Sequence, residues 1–421
     1  TYQRRVLAIQ IKELGQEHLT VAASLNNMAG LLNLQGQYST AISSLKKSLA
    51  IESSWLIREL PLLPDQARSA QLRKLGYAWE TTFGLISHYP PASQLALEAR
   101  LNRQGLLPEI EKRQTFLLNT PGVDRAMVAK LQGLTQELAS ISLSADRRAA
   151  LSEQRDKLQA ELYRQIPDLQ IQLVTTAEVA KALPADGVLV EFQRFQPFDG
   201  RKPKNQRWGE AHYIALVLKP DGSISAVPLG PASTIDAQAH KGLSTSAQGQ
   251  SDAEASWAQL SNQVLKPLLP QLSGSRQWFF SPDGELNRVP FAALPAPQET
   301  SKPLAQAVQL RLLTTGRELV RLQQPAPSGS AALVVANPNY DRVSASGASA
   351  PPPDASLVVV QRRSAQLGSS KWKPLPGSER EGQQVAHLLS SRLISGPTAT
   401  TTELLRQQGP RVLHIATHGF F

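Results

Sequence analysis

The sequence predicts a multidomain protein in which all-α helical repeats lead into an α/β domain with a mostly parallel sheet. Three observations carry this reading. The run Arg4-Arg5-Val6-Leu7-Ala8-Ile9 returns as Lys46-Lys47-Ser48-Leu49-Ala50-Ile51, 42 residues on, which is the length scale of stacked helical hairpins. Apolar residues keep helical spacing to about Ile166, and after Pro167 the texture changes to short β-type runs. From Ala331 onward, strands alternate with helices that carry start signals, the pattern of right-handed parallel crossovers.

Residues 1–52 form the repeat segment. Leu25, Met28, Ala29 and Leu32 mark one helix, Gln35-Gly36-Gln37 breaks it, and Ala41, Leu45 and Ser48 mark the next. Small Ala29 and Ala41 let the two helices approach closely, and Leu14 to His18 links one repeat to the next. Because such repeats need neighbours to bury their faces, and because the chain opens without an initiator Met, more repeats are expected before Thr1. Residues 53–170 read as a helical connector, with helical spacing at Leu95 to Leu101 and Leu151 to Leu162, and breakers at Pro61, Pro90-Pro91, Gly105, Pro108 and Pro121-Gly122.

Residues 171–325 hold the first strands: Gly187 to Phe192, His212 to Leu218 and Ser223 to Leu229, the last two joined by the hairpin signal Lys219-Pro220-Asp221-Gly222. A helix is expected from Asp252 to about Leu269, ended by Pro270, and then a strand at Arg276 to Phe280. Residues 326–421 open with the strand Ala331 to Pro338, after which Ser344 to Ser356 reads as a mobile loop. Ser378 with Glu381 has capping-box spacing, Thr400 with Glu403 repeats it, and strands follow at Arg392 to Ile394 and Val412 to Ala416.

Composition bounds the function. The 421 residues are 41% hydrophobic and 19% charged, as in a globular protein, and no apolar run approaches the roughly 18 residues of a membrane span. The net charge of +10 comes from scattered Lys and Arg without aromatic interleaving, so no nucleic-acid partner is expected. There is no cysteine. That excludes a disulfide framework and is compatible with a cytoplasmic location. Neither a serine-nucleophile elbow, a phosphate-cradling loop nor a dinucleotide fingerprint is found, and no cofactor is expected.

The chemistry-bearing run is His414-Ile415-Ala416-Thr417-His418-Gly419. His418 lies at a strand's carboxyl end beside glycine, where open α/β sheets place their chemistry. His414, four residues earlier, reads as a structural residue of the strand interior. The two have His-x-x-x-His spacing, but the Glu that a helical zinc site carries after the first His is replaced by Ile415, so no metal site is expected.

Six landmarks in order resemble the CHAT domain, a family of peptidases in the caspase and separase group: Ser281-Pro282-Asp283-Gly284 with Val289-Pro290-Phe291; Val335-Ala336-Asn337-Pro338; Leu375-Pro376-Gly377; Glu379 with Glu381; Ala399-Thr400; and His414 to Gly419. The preceding repeats resemble tetratricopeptide repeats. This resemblance implies that residues 171–325 are a pseudo-protease half and 326–421 the start of a caspase-like catalytic half. It makes His418 the general base toward a cysteine thiol, gives Gly419 N–H to the oxyanion, and puts the nucleophile on the next strand, beyond Phe421. It further implies a protein substrate and a protein partner or regulator on the repeats; from the short apolar runs, no membrane partner is expected. The alternative is a non-catalytic scaffold with an inactive caspase-like domain.

Overall fold

The computed structural model describes residues 2–63, 65–110, 124–138, 145–165, 171–297, 299–323, 331–339, 375–400, 403–404 and 409–418. The chain divides into two compact units, residues 1–323 and 324–421.

The first unit opens with helices α1 (Tyr2–Leu14), α2 (Leu19–Leu34) and α3 (Tyr38–Glu59). Gly36 turns the α2–α3 corner at φ +72°, a conformation that costs glycine little. Ala29 and Ala41 are fully buried, so the helices meet through their smallest side chains, and Ser48 Oγ donates to Ala22 O at 2.8 Å across the pair. Leu7 and Ile11 of α1 pack with Val21, Ala22 and Leu25 of α2 and Ile51 of α3. Each fully buried leucine side chain of this kind stabilises the fold by about 2 kcal/mol. Helices α4 (Asp65–Lys74), α5 (Gly76–Leu85) and α6 (Ala92–Arg103) continue the α-region.

A five-stranded sheet follows, of order β3-β2-β1-β4-β7, where β1 is Gly187–Phe195, β2 His212–Leu218, β3 Ile224–Pro231, β4 Gln277–Ser281 and β7 Gln309–Leu312. The short strands β5 (Pro295–Ala296) and β6 (Glu299–Pro303) form a separate hairpin. β1–β2 and β2–β3 are antiparallel, whereas β1–β4 and β4–β7 are parallel, so the sheet is mixed. The β2–β3 turn forms at Lys219 to Gly222, with Gly222 at φ +83° and its N–H on Lys219 O at 2.9 Å.

Both faces of the sheet are covered, as near-continuous apolar strands demand. Leu189, Ile214, Leu216, Leu218 and Phe279 share one core with Ala29, Leu45, Phe83, Leu97 and Leu101 of helices α2, α3, α5 and α6. Val188, Val190, Phe192, Tyr213 and Phe280 face the other side, against helices Ala232–Ala247 and Ala253–Val264. Helices α2, α3, α5 and α6 and one sheet face thus bury the same core.

One local expectation changes. The helix expected from Asp252 to Leu269 is broken: it runs Ala253–Val264, a 3-10 turn follows at Lys266–Leu268, and Pro270 stands in the first turn of the short helix Leu269–Leu272. Proline's fixed φ and missing N–H suit a first turn as well as an end. Residues 284–295 contain 3-10 turns at Gly284–Arg288 and Phe291–Ala293.

The second unit holds a three-stranded sheet of order β10-β8-β9, with β8 Leu333–Pro338, β9 Arg392–Gly396 and β10 Leu413–Ala416, both pairings parallel. The helix Pro376–Leu388 lies on one face. A Cβ at Gly382 would sit 2.4 Å from Ala336 Cβ, so glycine permits the close approach. The loop expected at Ser344 to Ser356 lies outside the described residues. No helix among the described residues is long and apolar enough to cross a membrane.

Candidate catalytic site at the ends of the three-stranded sheet

In the second unit, parallel pairing aligns Ala416 of β10 with Ala336 of β8, and Ala336 with Ser395 of β9, so all three carboxyl ends open on one side. Chain reversal there uses left-handed backbone. Asn337 has φ +41°, tolerated by asparagine better than by most side chains, and Gly396 has φ +55°. Asn339 N–H donates to Gly396 O at 3.1 Å, tying the ends of β8 and β9 together.

The helix Pro376–Leu388 starts at this same end. Leu375 N–H donates to Asn337 Oδ1 at 3.3 Å, and Pro376 brings no N–H that would need an acceptor. The capping box expected from Ser378 and Glu381 does not form: Ser378 Oγ donates to Leu375 O at 2.9 Å, inside the first turn. The second capping signal does form a bond, Glu403 N–H to Thr400 Oγ1 at 3.1 Å.

His418 lies two residues past β10, half-buried, at the open end. Gly419, the expected oxyanion donor, is outside the described residues. An imidazole at a strand end reaches a bound substrate without distorting the sheet, and it exchanges protons near neutral pH. His414 lies within the strand. It is no core residue: its side chain is 30% exposed, and Nε2 lies 3.0 Å from Glu381 Oε1 on the covering helix. Among the described residues β10 is an edge strand of its sheet, and its middle is only partly covered. The two histidines are therefore separated in setting, His414 engaged by a carboxylate within the strand and His418 beyond its end.

Sequence reasoning passed over a polar centre in the first unit. Arg100 of α6 is fully buried against the sheet. Its Nε donates to Glu191 Oε2 at 2.6 Å, Nη1 to Gln193 Oε1 at 2.6 Å, and Nη2 to the Ser281 and Pro282 carbonyls at 3.1 and 3.3 Å. The other carboxylate oxygen, Glu191 Oε1, accepts Gly316 N–H at 2.6 Å and Thr315 Oγ1–H at 3.1 Å. Part of the signal was local: Glu191 is a charged residue inside the apolar run Gly187 to Phe192, while Arg100 shares its helix with a second charged residue, Glu98. Asp283 of the first landmark accepts Arg194 N–H and a Gln193 side-chain N–H, at 2.8 and 2.9 Å, so that landmark closes the same network.

A second buried group surrounds Arg103. Glu52 Oε2 lies 3.6 Å from Arg103 Nη1, and burial pushes the Glu52 carboxyl up to about 7 against the pull of that cation. Glu80, which accepts Gln196 N–H at 2.6 Å, is likewise raised to about 7 by burial. Burial lowers the Arg103 pKa, and its guanidinium stacks over Trp79 at 5.2 Å.

Residues 254–421 match the family model of the CHAT domain, which supports a CHAT-domain protein. The matched segment begins in the helix Ala253–Val264 and includes the carboxyl ends described above. No curated protein matches the chain.

Proposed function

We propose that this chain belongs to a caspase-like cysteine peptidase regulated through its helical region. His418 is the general base and Gly419 supplies an oxyanion N–H. The CHAT match over residues 254–421, with His418 past a parallel strand, is the observation that carries the reading. The reaction runs through a thiolate. His418 takes the cysteine proton, the sulfur attacks the scissile carbonyl, and the imidazolium then protonates the leaving amine. Backbone N–H groups stabilise the tetrahedral oxyanion. The 421 residues contain no cysteine, so the nucleophile is supplied from outside them. Helices α1–α3 serve as the partner-binding sensor, in a cytoplasmic protein.

The direct experiment measures hydrolysis of unfolded protein substrates by a polypeptide in which these residues are joined to the cysteine-bearing strand. Turnover sensitive to thiol alkylation and lost in His418→Ala supports the peptidase. Turnover by residues 1–421 alone would overturn the thiol mechanism.

A further inference from the structure

The first unit contains a cleft of about 760 Å³ between α2, α5 and the loop 197–209, within the roughly 300–1,000 Å³ range of built ligand sites. The loop is a fixed wall. Phe198 bridges Trp208 in antiparallel fashion, Gly209 N–H donates to Pro197 O at 2.8 Å, and Asp199 N–H donates to Arg207 O at 2.7 Å. Its approach to α2 is close: a Cβ at Gly200 would lie 3.3 Å from Leu34 Cδ1. Glu80 on α5 holds the loop's entry through Gln196.

Three features of the lining bear on its occupant. Arg201, Lys202 and Arg207 stand on one wall, and the one lining carboxylate, Asp199, is engaged by Arg201 N–H at 3.0 Å. Arg201 and Lys202 are exposed, and among the described residues neither enters an ion pair. On the α2 wall, Asn26 Oδ1 is buried without a hydrogen-bond partner, an acceptor whose desolvation is uncompensated until an occupant brings a donor. Tyr77 and Trp208, with ring centroids 5.5 Å apart, supply a flat apolar surface.

We propose that this cleft binds an acidic, extended peptide segment of a partner protein. Main-chain N–H of the segment satisfies Asn26 Oδ1, its carboxylates face Arg201, Lys202 and Arg207, and an apolar side chain packs on Tyr77 and Trp208. The α2 and α5 walls contribute no lysine or arginine to the lining, which disfavours a nucleic-acid backbone needing cations along its path. This deepens the sensor part of the proposed function and rests on it only for any regulatory consequence.

The test uses the 421-residue chain and fluorescence anisotropy with three labelled probes at low salt: an acetylated Glu/Asp-rich octapeptide with a central Phe, its Lys-for-acid counterpart, and a single-stranded 12-nucleotide RNA. The acidic peptide binds, the basic one does not, and added salt weakens binding. Arg201→Glu with Lys202→Glu lowers affinity about tenfold or more and shifts preference toward the basic probe. Asn26→Ala lowers it about fivefold, the loss of one good hydrogen bond. Melting curves exclude unfolding as the cause. Absence of acidic-peptide binding, binding unaltered by the charge reversal, or preference for RNA would each overturn the proposal. Since only binding is read, failure of the peptidase reading leaves the result interpretable.

Discussion

Arg100 and Glu191 form a fully buried ion pair, with Nε donating to Oε2 at 2.6 Å, that joins helix α6 to the central strand β1. Burying two charges costs several kcal/mol each, and that cost is offset only when every remaining donor and acceptor is satisfied. Here Gln193, Ser281, Pro282, Thr315 and Gly316 complete the set. The pair thereby fixes how the helical region sits on the sheet within the first unit.

Arg100→Met removes the cation and leaves Glu191 buried beside only neutral donors. We expect a loss of about 3–5 kcal/mol in denaturant unfolding. Adding Glu191→Met should recover most of it, because an apolar pair no longer needs solvation. If the double variant is as unstable as the single one, the network's worth lies in shape and not in charge balance.

Glu52 gives a pH prediction of defined sign. Its carboxyl titrates near 4.5 when unfolded and at about 7 in the fold, so between those values the folded chain holds a proton that the unfolded chain releases. This group's contribution to stability is therefore fully retained below about pH 4.5 and falls as pH rises to about 7. Glu80 acts with the same sign. Glu52→Gln should flatten the decline of melting temperature between pH 5 and pH 8, and an unchanged slope would remove Glu52 from the explanation.

Gly382→Ala tests the packing that supports the open sheet end. The added methyl meets Ala336 Cβ at 2.4 Å and Leu393 Cδ1 at 3.1 Å, so the helix must lift. The expected cost is about 1–3 kcal/mol, together with faster hydrogen exchange in residues 376–388. A stabilised variant would mean that the helix sits further from β8.

Much of the first unit was legible because its signals are local. The small residues Ala29 and Ala41 and the breaker Gly36 define the α2–α3 hairpin, and Lys219-Pro220-Asp221-Gly222 defines the β2–β3 turn. What escaped depends on distant partners. Ser378 and Glu381 have capping spacing, yet Asn337, 38 residues from Leu375, provides the acceptor at that helix start and frees Glu381 to meet His414. Arg100 and Glu191 lie 91 residues apart, and nothing in either run names the other. The position of His418 just past a strand was legible from the apolar run Val412 to Ala416 before it.

The most direct measurement compares His418→Ala and His414→Ala in a polypeptide that carries these residues together with the cysteine-bearing strand, reading peptidase turnover and thermal melts. His418→Ala should reduce turnover by about 10²–10⁴-fold with the melt little changed, the loss expected of a general base. His414→Ala should keep turnover per folded molecule and cost at most about 1 kcal/mol, the worth of a half-exposed pair with Glu381. Normal turnover in His418→Ala, or a collapse of its melt with full activity per folded molecule, would contradict the assignment of His418 as the base.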